Sequence, residues 1–110
     1  MEQKTKTWLC DIQNAIEEIY TFLPEKRDYY EFAHDVKTKK AVDRNLEIIG
    51  EALNRILKID PDINISESRK IVDTRNRIIH GYDRVTPDIL WLIINRSLPV
   101  LKQEIDAFLK

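Results

Sequence analysis

The sequence predicts an all-α protein: an antiparallel four-helix bundle with one additional short helix and a kinked or split C-terminal helix. Three observations carry that expectation. Apolar residues recur at steps of three and four along the long segments, which is the spacing of one helical stripe. Each of the four prolines stands at a point where a helix would stop, start or bend. Nothing in the chain reads as a strand.

Taken in order, the first helix carries Trp8, Ile12, Ala15, Ile16, Ile19, Phe22 and Leu23 on one stripe, and Pro24 stops it. In DYYEFAHDV (residues 28–36), Asp28 with Glu31 three positions on resembles a capping box and starts a short helix or helical turn. The next helix spans about Thr38 to Lys58, with Val42, Leu46, Ile49, Leu53, Ile56 and Leu57 as its apolar positions, and Asp60-Pro61 ends it. Gly50 sits in its middle, where glycine costs roughly 1 kcal/mol against alanine. A close approach by a neighbouring helix is the economical explanation. PDINIS (61–66) reads as a loop, Ser68 to Ile79 as a helix that Gly81 terminates, and Thr86-Pro87 as the N-cap and first residue of the last helix, which Pro99 kinks or divides. Trp91, Ile93 and Ile94 surround more than one face of that helix, which suggests a further covered surface and a homodimer.

A chain of 110 residues with 43% apolar composition fills one core, so one domain over 1–110 is expected. Charged residues make up 34%, with 18 Lys+Arg against 19 Asp+Glu, and the net charge of −1 argues against broad, non-specific coating of nucleic acid. A local basic cleft is compatible with it. The single Cys10 and the lack of a basic, apolar leader favour a reducing, cytoplasmic setting, and no apolar run is long enough to span a membrane.

The chemistry-bearing stretch is TRNRIIHGYDR (74–84). Between Arg69 and Arg84 five positive residues face two acidic ones, a local excess of three, so this is where a phosphate would bind. Asn76 and His80, four apart, share a helix face, whereas Arg75 and His80 diverge by about 140° and meet only if the arginine curls toward the same rim. His80 precedes Gly81 at a helix C-terminus, where the dipole favours the imidazolium and a general acid or base can be made. The plainer alternative is a histidine and flanking arginines that merely complement the helix dipole, with Tyr82 a packing residue whose hydroxyl is wet. Residue chemistry alone leaves the two open.

The string Arg75-x4-His80-x-Tyr82, preceded by AVDRNLEIIGEA (41–52) and followed by ILWLIINRSLPVLKQEI (89–105), resembles the HepT-like proteins of the HEPN superfamily. The similarity starts at Trp8-Leu9-x-Asp11-Ile12 and runs to Ile105; the segment 61–74 lacks the proline–tryptophan pair that many relatives carry there. The resemblance implies a dimer whose two Arg-Asn-x3-His segments form a composite, metal-independent endoribonuclease site needing no cofactor, in a toxin of a type II toxin–antitoxin system. In that scheme Arg75 stabilises the phosphorane charge, Asn76 orients its neighbours and His80 moves the proton. Tyr82 matches the tyrosine that a partner minimal nucleotidyltransferase antitoxin modifies with AMP. Arg69, Arg77 and Arg84 are the expected substrate phosphate contacts. A non-catalytic nucleotide- or partner-binding helical dimer, in which the same residues only hold a phosphate, is the competing expectation.

Other residues read more plainly. Glu47 and Glu51 lie one turn apart but have no histidine at a matching offset, so solvation or pairing with Arg44 and Arg55 is expected rather than a metal. His34 reads as structural or exposed, and Trp8 and Trp91 as core or interface rather than base-stacking platforms. Cys10 has no neighbour to activate it as a nucleophile.

Overall fold

The protein is described by a computed structural model for residues 2–80 and 86–110, the side chains of residues 78–80 excepted. Among the described residues six α-helices follow in order: α1 (Gln3–Phe22), α2 (Tyr29–His34), α3 (Val36–Ile59), α4 (Ser68–His80), α5 (Pro87–Leu92) and α6 (Leu98–Phe108), with a π-helical turn over Ile93–Ser97 joining the last two. No strand occurs among the described residues. The four long elements are α1, α3, α4 and the continuous α5–α6 segment, and they form the expected bundle.

Local chemistry sets the boundaries. The α1 helix ends at Phe22, with the Leu23 amide donating to the Tyr20 carbonyl just before Pro24. The Asp28 carboxylate accepts from the Glu31 amide at 3.2 Å and starts α2. The long third helix begins at Val36, two residues earlier than its apolar pattern suggests, because Asp35 is its N-cap. Asp35 accepts from the Thr38 amide at 3.0 Å and from the Thr38 hydroxyl at 2.6 Å. These two bonds hold the Asp35 carboxyl below its ordinary range.

The centre of the bundle is α3, packed between α1 and α4, with α6 lying on α1 and α5 on α2 and α3. Leu9, Ile12, Ile16 and Ile19 of α1 meet Leu46, Ile49, Leu53 and Ile56 of α3, all essentially removed from solvent. Two polar ties fix the C-terminal segment. Gln13 Nε2 donates to Asp106 at 3.0 Å, joining α1 to α6. The Glu104 carboxylate accepts from the Ser66 amide and hydroxyl at about 3.1 Å, anchoring the loop between α3 and α4.

Pro99 divides the last helix as expected, and the division takes the form of a π turn. Proline has no N–H to offer the Asn95 carbonyl, and the Leu98 amide bonds to Ile93, five residues back. The widened turn changes one inference about coverage. Ile93 and Ile94 are both 1% exposed, turned into the chain's own core. Trp91 packs on Phe32 and Tyr29 of α2 with ring centroids 5.3 and 5.6 Å apart. The apolar residues that suggested an additional covered face, Trp91, Ile93 and Ile94, are therefore used within one chain, while Leu92 at 46% and Val100 at 39% stay exposed on the same segment. No helix among the described residues is long and apolar enough to cross a membrane.

Candidate functional site

Among the residues expected to form the site, Arg75 is the one whose surroundings are most fully determined. It stands on the face of α4 that meets α3, opposite Gly50. A Cβ at position 50 would lie 2.3 Å from Arg75 Cβ and 2.7 Å from its Cγ, separations that no real pair of carbons tolerates. Gly50 is thus the close-approach residue that its place inside a helix implies, and the stem of Arg75 is what approaches.

From there the guanidinium runs to the next residue of α3. Its Nη2 donates to Glu51 Oε2 in a tight ion pair, and its Nη1 donates to Asn76 Oδ1 at 3.1 Å. The other Glu51 oxygen accepts from Arg55 Nε at 3.0 Å. The Arg75 side chain is 19% exposed, and its Nε is buried with no acceptor among the described residues. A half-shielded, hydrogen-bonded guanidinium of this kind holds one orientation. The neighbouring Arg44–Glu47 pair, at 3.9 Å with the arginine 70% exposed, contributes little.

Arg75 opens onto a cleft of about 290 Å³ between α1 and α3. Trp8 and Asp11 line one wall, and Arg44, Glu47, Glu51 and Arg55 the other. Trp8 is partly buried against the core, so its ring is wall as well as filling. Glu47 and Glu51 take Arg44 and Arg55 as partners, as their spacing suggests. What sequence spacing did not show is that Glu51 has a second arginine.

The remaining site residues distribute differently. Asn76 is half-buried beside Arg75. Arg77 points away from that cleft and, with Lys70, Asp73 and Thr74, lines a separate groove of about 300 Å³ floored by Ile89, Leu92 and Ile93. Arg69 is exposed in the first turn of α4. The expected phosphate contacts Arg69 and Arg77 are therefore not gathered around Arg75. His80 is the last residue of α4, which places its backbone one turn beyond Asn76. Its side chain, together with Tyr82 and Arg84, lies outside the described residues.

His34 is exposed, with Nδ1 donating to the Tyr30 carbonyl at 2.9 Å and its ring beside that of Tyr30. Cys10 is a free, half-buried thiol.

A central helix flanked by partners on both sides, with an Arg-x4-His segment closing the third long element, α4, has the architecture of an all-α HEPN domain. The chain belongs to the HepT-like ribonuclease family, whose model, described as "Ribonuclease HepT-like", matches residues 12–108. It is 35% identical to the "Probable ribonuclease HepT" of Thermococcus cleftensis over the whole of both chains. It is 32% identical to the "Putative RNase MJ1380" of Methanocaldococcus jannaschii, with 96% of each chain covered. A second protein of that organism, "Putative RNase MJ0125", is 31% identical over 96% of this chain and 90% of its own. No solved structure matches the chain.

Proposed function

We propose that this protein is an endoribonuclease that works by acid–base chemistry without a metal, as the toxin of a type II toxin–antitoxin system. Membership of the HepT-like family supports the reaction class. The observation that carries the site is Arg75: a guanidinium fixed between α3 and Asn76, five residues before a histidine at a helix end.

In the proposed reaction His80 takes the proton of a ribose 2′-hydroxyl, and the oxygen attacks the adjacent phosphorus. Arg75 offsets the negative charge that builds on the phosphorane oxygens, and Asn76 keeps the guanidinium in place. An imidazolium returns a proton to the departing 5′-oxygen, leaving a 2′,3′-cyclic phosphate and a 5′-hydroxyl. Two protomers each contribute an Arg75, Asn76 and His80 set to a composite cleft, with Arg69, Arg77 and Arg84 as outer contacts for the RNA backbone. A minimal nucleotidyltransferase antitoxin transfers AMP to Tyr82, and the added bulk and negative charge exclude substrate phosphates.

Purified protein incubated with cellular RNA in EDTA, beside His80→Ala, tests the reading. Cleavage by the wild type with cyclic-phosphate ends, lost in the variant by a factor of about 10² or more, is the expected result. A folded wild-type dimer that leaves RNA intact but binds it would move the site to a holding role.

A further inference from the structure

Arg75 is useful to a phosphorane only if its guanidinium is presented in a fixed orientation, and α4 alone does not supply that. An arginine on a helix has several freely rotating bonds and loses much entropy when it is pinned. Here three features of α3 restrict it. Gly50 removes the Cβ that would otherwise occupy the path of the Arg75 stem. Glu51, the next residue, receives Nη2. Arg55, one turn further, holds the opposite oxygen of the same carboxylate at 3.0 Å, so that Glu51 is itself held in place.

We infer that Glu51 is the positioning residue for Arg75, seated by Gly50 on one side and Arg55 on the other. The inference rests on the ribonuclease reading and names a residue in it that touches neither the substrate nor the reacting atoms. The charges support it. One carboxylate between two guanidiniums leaves the Arg55–Glu51–Arg75 set with a net positive charge, so the acid orients the arginine without cancelling its pull on a phosphate. The hydrogen-bond count agrees. A guanidinium has two N–H on each terminal nitrogen, and Glu51 and Asn76 take one from each, leaving one on each for phosphate oxygens.

The opposite role, a clamp that sequesters Arg75 until substrate displaces Glu51, makes the opposite prediction, so activity decides between them. The test compares wild type, Glu51→Ala, Glu51→Gln, Arg75→Ala and the Glu51→Ala/Arg75→Ala double variant in metal-free cleavage of one defined RNA, with kcat and KM separated. Glu51→Ala is expected to lower kcat by about ten- to a hundredfold with KM nearly unchanged, because a misplaced group loses transition-state contact more than ground-state binding. Glu51→Gln restores most of the rate, since its amide oxygen still accepts from Arg75. In the Arg75→Ala background, removing Glu51 has no further effect.

A Glu51→Ala enzyme as fast as wild type, beside an inactive Arg75→Ala, overturns the inference and leaves the ribonuclease reading standing. A faster Glu51→Ala enzyme establishes the clamp instead. A wild type that never cleaves removes the ribonuclease reading, and a second readout then decides the positioning. In NMR spectra the Arg75 Nε–H resonance is expected to be sharp and slow to exchange in the wild type and in Glu51→Gln, and lost to exchange in Glu51→Ala. Unchanged exchange in Glu51→Ala overturns the inference whatever the cleavage result. Glu51→Met, of similar length but with no acceptor oxygen, replaces the alanine variant in both readouts, with the same expected losses, if Glu51→Ala does not fold.

Discussion

Arg75 and Arg77 stand two residues apart on the same helix and live in different places. The first is shielded, lies over a glycine, and is bonded to a carboxylate and an amide. The second is exposed at the edge of a groove it shares with Lys70 and apolar side chains of α5. About 200° of helix rotation separates them, enough to send one toward α3 and the other toward the C-terminal segment. Equal charge and near-equal position in the sequence thus produce one enclosed, oriented group and one exposed one. An oriented cation can stabilise a charge that develops at a defined point, whereas an exposed surface cation attracts a polyanion without discriminating between ground and transition states.

The sharpest way to break this contrast is to remove each arginine in turn. Arg75→Ala is expected to lower kcat by about 10²–10³, the scale for deleting a fixed electrostatic partner of a transition state. Arg77→Ala should leave kcat within about twofold, raise KM severalfold and flatten the dependence of KM on salt. Steady-state kinetics at two ionic strengths checks both. Similar losses in kcat for the two variants would mean that the grooves on either side of α4 act as one.

A smaller effect is expected from disturbing the seat rather than the arginine. Gly50→Ala improves helix propensity by about 1 kcal/mol, yet it places a methyl group 2.3 Å from Arg75 Cβ. That atom belongs to the stem beside the backbone and cannot swing aside, so α4 itself must shift. Overpacking of this kind costs about 1–3 kcal/mol. The expected outcome is a net loss of about 0–2 kcal/mol, read as a fall in Tm of up to roughly 10 °C, with a parallel fall in kcat. Arg75→Ala retains the offending Cβ, so combining the two substitutions should not recover the stability. A Gly50→Ala protein more stable than wild type would show that α3 and α4 separate at little cost.

The sequence exposed local features of this arrangement and concealed those that depend on distant segments. Caps and breakers act within a turn, so Asp28, Pro24 and Pro99 could be placed from their neighbours alone. Asp35 is hidden as the cap of α3 because the helical stripe does not register until Val42, and the two turns before it offer only Val36, which is exposed, and Ala41 as apolar residues. Gly50 announced a close approach without naming its partner. The Glu51–Arg55 pair, four residues apart, is read directly from spacing, but the Glu51–Arg75 pair joins residues 24 apart on two helices and needs the fold. For the same reason, counting arginines between 69 and 84 suggested one basic site, whereas helix rotation sends Arg75 and Arg77 to opposite sides. Ile93 and Ile94 suggested an outer face because an α-helical period was assumed; the π turn brings both into the core.

The contrast between a supported and an unsupported charge recurs on α3 itself, in two carboxylates eight residues apart. Glu51 has an arginine on each oxygen, while Asp43 is half-buried with Oδ1 lacking a partner among the described residues. Burial pushes the Asp43 carboxyl above its ordinary range, and Lys39 one turn away only partly opposes this. A carboxyl whose folded pKa is raised binds its proton more tightly in the folded state. Its charged form therefore opposes folding, fully so once the pH is above the folded pKa and not at all below the unfolded one. Asp43→Asn removes that opposition. It is expected to raise Tm at pH 7 by roughly 1–3 °C, a few tenths of a kcal/mol in a domain of this size, and to leave Tm unchanged near pH 3, where both states are protonated. Thermal melts of the two proteins at the two pH values check this. A variant less stable than wild type at pH 7 would mean that the Asp43 charge is supported through Lys39 after all, and that the imbalance along α3 is smaller than its burial implies.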